Sequence, residues 1–465
     1  MVQKQKQKIE KPFGMRDKIG YLFGDFGNDF TFVLSSSFLM KFYTDVMGVD
    51  GFVVGIVMMV ARFVDAFTDV TMGRICDRSK MTAAGKFKPW ILRMCGPVAI
   101  ASFLIYQSGF ADWGMGFKIG WLFVTYILWG SIFYTSINIP YGSMASAISA
   151  DPGDRQSLSS YRTVGSMLAG AFVMVGIPMV AYDKIDGNSI LNGGRFTVIA
   201  GVFSVLAIVC YMLCYTLVTE RVKLEVREDY KQDSVGVMFK KAASNRALIS
   251  IIVASVMLLL AQLTIQGMAS YVFPNYYGDT TAQSLSSLMM IGGMFLAAAV
   301  AKPLANKFGK AEIGAAAAMV SAIVNIVLLI IRPANVWVFS GFQAINWVGI
   351  GLYSVVSWAL ITDVIDAAEL KNGVREDGSV YALYSWARKL GQAASAGLTG
   401  FLLSMIGYSE TTAFDPAVKD GIYNVTCIVP AIGFLVLGFV LWFWYPLHKK
   451  QVDANVAALK IKHGE

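Results

Sequence analysis

Apolar residues run through this sequence in long blocks, not in the short alternations of a soluble fold. The stretch FVVGIVMMVARFVDAFTDVTMGRIC, residues 52–76, is representative. Twelve windows have the length and apolarity of a membrane-crossing helix, near 19–45, 51–76, 90–109, 118–148, 157–182, 195–219, 247–273, 283–306, 311–332, 335–365, 378–406 and 421–445. The pattern predicts an all-α integral membrane protein with twelve transmembrane helices. Windows longer than about 20 residues imply tilt, or helices that protrude from the hydrocarbon.

The polar positions divide the chain. Residues 219–245, TERVKLEVREDYKQDSVGVMFKKAASN, are the longest charged interruption and split the windows six and six. The expected organisation is a six-helix bundle over 1–219, a cytoplasmic loop over 220–245, a second six-helix bundle over 246–445 and a cytoplasmic tail over 446–465. This is the hydropathy of a two-halved transporter of the major facilitator type. GRICDRSKMTAAGKFKPW after the second window and AKPLANKFGKAEI after the eighth are both short basic loops, a modest sign of repetition. Basic residues crowd one set of loops: Lys4 to Lys18, Arg74 to Lys88, Arg221 to Lys241, Lys302 to Lys310, Lys371 with Arg375, and Lys449 with Lys450. The opposite loops hold few, among them Lys118, Lys184 and Arg332. Basic loops stay on the cytoplasmic side, so both termini are expected there. The cell membrane is the expected location.

Composition agrees. The 465 residues are 56% hydrophobic and 15% charged, against roughly 25% charged in a soluble protein. The net charge of +8 is accounted for by the cytoplasmic loops and calls for no nucleic acid. The N-terminal stretch lacks the pattern of a cleaved signal peptide. The five cysteines read as small core residues, and both histidines, His448 and His463, lie in the tail, which rules out a histidine relay or histidine metal site within the membrane.

Against this background the charges inside the apolar blocks stand out. A charged residue at a helix centre costs about 2.5–3.5 kcal/mol on insertion scales, so Arg62, Asp65 and Asp69 must face the bundle interior and find partners. Asp65 and Asp69 are one turn apart on one face, with Arg62 in reach. Two carboxylates so placed repel unless a cation or proton lies between them. One reading is a coupling-ion site; the other is a structural Arg–Asp pair with a capping aspartate. Asp29, Asp65, Asn138 and Lys389 all fall about ten or eleven residues from the expected cytoplasmic helix ends, roughly 15–17 Å deep, near the middle of the bilayer. Transport sites lie at that depth between two halves. Asp25, one turn from Asp29, is a candidate partner for Arg62. Arg162 either serves the site or snorkels to the interface. Thr135 and Asn138 precede Pro140, whose missing N–H frees carbonyls for a kink or a ligand. Trp386, one turn from Lys389, either packs or stacks on a sugar ring.

These residues carry a resemblance. GDFGNDF, FYTDVMGV, VARFVDAFTDVTMGRICDRS with GKFKPW, INIPYGS, DPGDRQSLSSYR, VGVMFKKAASNRAL, TDVIDAAEL and YSWARKLG together make the chain similar to the glycoside–pentoside–hexuronide:cation symporters, over nearly its whole length. The resemblance implies that Asp65 and Asp69 form the cation site, with Thr68 and Thr135 beside it. It implies a sugar site of Asp29, Asn28, Asn138 and Arg162, approached by Lys389 and Trp386. Thr68 stands where the melibiose-transporting members have an asparagine that favours sodium, which leaves sodium and proton both open. Asn28, Asn138 and Gly142 replace a lysine, an aspartate and a stacking tryptophan there, which implies a glycoside or pentoside other than melibiose. Asp77 and Arg78 are expected either to latch the cytoplasmic side or only to fix topology. The expected partners are a sugar, a monovalent cation and the bilayer, with no cofactor and a functional monomer. An amphiphile such as a lysophospholipid is the alternative cargo, a transporter-like sensor comes behind it, and a membrane enzyme is the least expected.

Overall fold

The structure is a computed structural model and describes residues 12–222, 245–372 and 377–463. Most of the central loop expected over 220–245, the basic residues Lys4, Lys6, Lys8 and Lys11, and Arg375 lie outside the described residues. Six long helices come first: α1 (Met15–Asp45), α2 (Gly51–Arg78), α3 (Lys88–Ile105), α4 (Met115–Ile148), α5 (Pro152–Val180) and α6 (Gly193–Leu217). Six more follow: α7 (Arg246–Tyr277), α8 (Thr280–Phe308), α9 (Lys310–Ile331), α10 (Val336–Asn372), α11 (Asp377–Met405) and α12 (Pro416–Trp444). A shorter helix, α13 (Lys449–His463), ends the described chain.

Among the described residues, ten helices are long and apolar enough to cross a membrane. The two long helices outside that set are α1 and α11. They fall outside it because they carry the interior charges, among them Asp25, Asp29 and Lys41 on α1 and Arg388 and Lys389 on α11. A helix whose polar groups find partners inside the bundle needs no uniform apolarity. The outer surface is the reverse: Phe67, Phe172, Val198 and Ile330 are all more than half exposed, a large apolar skin that only lipid would cover.

In the first group, α1 packs on α5 and α6, α3 on α4 and α6, and α2 on α4. In the second, α8 packs on α10, α9 on α10 and α12, and α7 on α11 and α12. The groups meet along α2–α11, α5–α8 and α1–α7. Glycine makes the first of these contacts possible. A Cβ on Gly400 of α11 would lie 2.3 Å from the Gly51 carbonyl oxygen and 2.8 Å from the Gly55 Cα, so the α2 and α11 backbones touch there. Small residues at helix crossings permit such approach.

The end of the bundle where α1 begins is anchored by Asp17, whose carboxylate meets Arg221 at 2.9 Å. It also receives α13, since Glu312 at the start of α9 accepts from the Lys449 backbone N–H at 3.0 Å. We term this the terminal end and the opposite one the distal end. At the distal end β1 (Tyr182–Ile185) and β2 (Asn188–Leu191) form an antiparallel hairpin. Its turn, Asp186-Gly187, has positive φ at both residues (51° and 83°), the signature of a two-residue hairpin loop.

The distal end is sealed between the two groups. Lys41 of α1, about 1% exposed, pairs with Asp45 at 2.6 Å and donates to Asn275 at 2.6 Å and to Tyr408 at 2.7 Å. Its ammonium also lies 4.5 Å from the Tyr271 ring centre. Tyr408 in turn donates to Asp45 at 2.8 Å. Elsewhere on this end Ser284 of α8 donates to the Val175 carbonyl of α5 at 2.8 Å, and Ser189 of the hairpin to Gly278 at 3.2 Å.

Candidate functional site

The interior charges sort into two neighbouring clusters. The first is built where α2 crosses α4. Here α4 departs from α-helical geometry: Leu128–Tyr134 is a π-helical stretch. Such bulges displace one turn and are frequent at functional sites. Immediately after it, Thr135 donates to Asp69 Oδ1 at 2.9 Å. Within it, Ser131 donates to Asp65 Oδ1 at 2.5 Å. Arg62 meets Asp65 Oδ2 at 3.3 Å and lies 5.2 Å from the Phe32 ring centre. The fourth component comes from the other group of helices. Lys389 of α11 forms an ion pair with Asp69 Oδ2 and also donates to the Asp65 backbone carbonyl at 3.2 Å. Asp65 is buried, and Asp69 and Lys389 are each about a quarter exposed.

This cluster presents hard oxygen donors: two carboxylates and two hydroxyls. That donor set suits a small hard cation. The same oxygens now take Lys389 and Arg62 as counter-charges, each acid having one. Thr68, expected beside the ion, donates instead to the Asp65 carbonyl on its own helix at 3.2 Å.

The second cluster lies between α1, α4, α5 and α6. Asp29 is hydrogen-bonded by Ser166. Asn28 donates to Asn138 at 3.3 Å and accepts from Tyr211 at 2.8 Å. Arg162 pairs with Asp25 at 3.2 Å, with its guanidinium 5.4 Å from the Tyr141 ring centre. The tight crossing of α1 and α5 sets these distances: a Cβ on Gly165 would lie 2.3 Å from the Leu22 carbonyl oxygen. Arg162, 39% exposed at its side chain, is therefore held in the interior by an acid while still reachable.

One pairing differs from the sequence expectation. Asp25 does not face Arg62; it takes Arg162, and Arg62 takes Asp65 on its own helix. The physical reason is rotational. Asp25 lies on the α1 face turned to α5, whereas the neighbouring Phe32 face meets Arg62. Trp386 is half-buried on α11, one turn from Lys389. Asp77 and Arg78 are exposed at the terminal end of α2, where the Asp77 carbonyl accepts from Lys86 at 3.0 Å. Ser131, Ser166 and Tyr211 were not anticipated. Ser131 was findable, since it lies four residues before Thr135 and so on the same helix face; Ser166 and Tyr211 carry no such local signal.

Comparison with known proteins gives the family context. The MFS/sugar transport protein family matches residues 20–449. An uncharacterized symporter, YjmB, of Bacillus subtilis is 30% identical, over 95% of this chain and 94% of its own. The glucuronide carrier protein homolog of Escherichia coli is 29% identical, over 97% and 96%. The isoprimeverose transporter of Lactiplantibacillus pentosus is 28% identical, over 97% and 92%. Among solved structures, a D-xylose-proton symporter superposes with a TM-score of 0.63 at 16% identity, covering 92% of this chain and 97% of its own. A bacterial homologue of the iron transporter ferroportin in an inward-facing state gives 0.66 at 14%, covering 92% and 98%.

Proposed function

The chain belongs to the MFS/sugar transport protein family, the glycoside–pentoside–hexuronide symporters, and we propose that it imports a glycoside, pentoside or small oligosaccharide together with sodium or protons. Its family and relatives are transporters, not enzymes, and it is a multi-pass membrane protein that transports a sugar. In our reading α1 and α11 join the ten apolar helices to give twelve spans in two halves, in the cell membrane. The terminal end faces the cytoplasm and the distal end faces outward.

The observation that carries the coupling is Lys389. A residue of the second half occupies Asp69, the acid that the ion would need. In the resting protein the ammonium stands in for the cation. An arriving ion takes Asp65, Asp69, Thr135 and Ser131. Lys389 is then released toward the sugar held by Asp29, Asn28, Asn138 and Arg162, with Trp386 alongside, and Arg62 and Asp25 serve as fixed counter-charges. Ion and sugar thus decide together which partner joins the halves. Linkage makes the effect reciprocal: each ligand tightens the other by the same factor. One charge crossing 100 mV contributes about 2.3 kcal/mol, enough for roughly fifty-fold accumulation. With the distal seal closed, the described conformation fits a state open toward the cytoplasm, in which an Asp77–Arg78 latch would be disengaged.

A panel of labelled glycosides offered to proteoliposomes tests this. The expected result is saturable uptake of at least one of them that rises several-fold under an inward sodium or proton gradient. Uptake of no sugar under either gradient would refute the reading.

A further inference from the structure

A second polar chamber lies apart from the charged clusters. It is a partly open cleft in the distal half of the molecule, bounded by α5, α7, α8, α10 and α12. Its polar lining includes Gln266, Gln283, Ser286, Gln343 and Trp347, and none of its lining residues is ionisable. Gln283, about 1% exposed, has both amide atoms unpartnered among the described residues. Gln343, about 6% exposed, is held by a chain of amides: Asn325 donates to Asn346 at 3.1 Å, and Asn346 to Gln343 Oε1 at 3.0 Å. Its Nε2 donors are left uncommitted. Gln266 donates to Ser37 of α1 at 2.9 Å, tying the chamber to the first group of helices.

Buried amides without partners are unfavourable, and apolar side chains of the same shape would remove the penalty. Gln283 offers a free donor and acceptor pair and Gln343 a free donor into this cleft, groups that match adjacent hydroxyls, and the Trp347 indole offers an apolar face. The absence of charge in the lining favours a neutral ligand. One wall, Met174, belongs to α5, and its neighbour Val175 makes the α5–α8 contact with Ser284, next to Gln283. The α5–α8 contact at the distal end thus borders this chamber, and parting α5 from α8 would widen it.

We propose that this chamber is an outer receiving site for the neutral, polyhydroxylated part of the transported glycoside, occupied before the sugar reaches the central clusters. The proposal rests on the transport reading above. Its ligand meets amides and an indole first, and carboxylates and cations only after the distal end has closed behind it.

Two near-isosteric variants test it: Gln283→Met removes only uncommitted amide atoms, so the fold should tolerate it, and Gln343→Met removes the uncommitted Nε2 but also the Oε1 that accepts from Asn346. Uptake of isoprimeverose and methyl β-xyloside is measured in right-side-out vesicles, and efflux in inverted ones. The expected result is an influx KM raised about tenfold, with efflux KM within twofold of wild type and the loss appearing there in Vmax, as reversibility requires. Asp29→Asn serves as the comparison and should impair both directions. Unchanged KM in both directions would show a chamber that holds only water, and equal rises in both would show an indirect effect on the central site; either overturns the receiving site alone. If the wild-type protein transports neither sugar, nor any of the wider panel, the transport reading fails and the receiving site with it.

Discussion

Asp69 is where the two groups of helices share a residue-scale decision. Its carboxylate has Thr135 on one oxygen and Lys389 on the other, so neutralising it removes both the proposed ion ligand and the lysine's anchor. Asp69→Asn is expected to abolish gradient-driven accumulation, from roughly fifty-fold at 100 mV to equal concentrations on the two sides. Sugar-for-sugar exchange should persist, because exchange needs no net movement of the ion. Paired accumulation and counterflow assays on the same vesicles check this. Ser131→Ala is expected to weaken cation affinity in the same direction but by less, since it deletes one neutral donor to Asp65 and leaves the acids intact; a cation titration of uptake reads it. Much of this cluster was legible in sequence, because Asp65 and Asp69 are one turn apart in an apolar window. The pairing of Asp25 with Arg162 was not, because residues 137 positions apart meet only through the rotation of α1 against α5.

At the scale of elements, the apolar blocks marked the helices and the turn chemistry trimmed them. α3 stops at Ile105, short of the 109 expected, where Tyr106 leaves helical geometry with ψ 50°. The residues beyond it, Gln107, Ser108 and Gly109, are polar or small, so the expected window ran past the end of the apolar block. The Asp186-Gly187 hairpin and the π-helical stretch of α4 were both missed. The hairpin is a few residues between two long windows, and a π-turn leaves no mark in the 3.6-residue pattern. The α2–α11 crossing yields an element-scale prediction. Gly400→Val would drive a branched side chain into the Gly51 and Gly55 backbone, where overpacking costs about 1–3 kcal/mol. The two helices must separate to accept it, so the distal end should spend more time open. A single cysteine placed at Ser404, which meets Asp50 across this seam at 3.1 Å, should react with a membrane-impermeant maleimide several-fold faster in the Gly400→Val background. Equal rates would mean the seam is not a hinge of the closure.

For the molecule as a whole, the proposed mechanism makes the distal contacts and the central clusters one device read at two levels. Lys41 is a buried charge that keeps its counter-charge Asp45 on α1 but holds its hydrogen bonds to Asn275 and Tyr408 only while the two groups stay together. Deleting one partner of a buried ion pair typically costs about 3–5 kcal/mol. Lys41→Met should therefore lower the melting temperature of the purified protein and favour the distal-open state; an unchanged melting temperature would remove Lys41 from the account. In sequence Lys41 had one visible partner, Asp45 a turn away, whereas Asn275 and Tyr408 come from distant parts of the chain. What ties the whole together is the claim that ion and sugar are linked through Asp69 and Lys389. The most direct measurement is the equilibrium affinity of the purified protein for its sugar, with and without the coupling cation, in wild type and in Asp69→Asn. The account predicts that the cation tightens sugar binding about 5- to 150-fold in the wild type, the usual range of such coupling, and has no effect in the variant. Cation-independent binding in the wild type, or undiminished enhancement in Asp69→Asn, would contradict it.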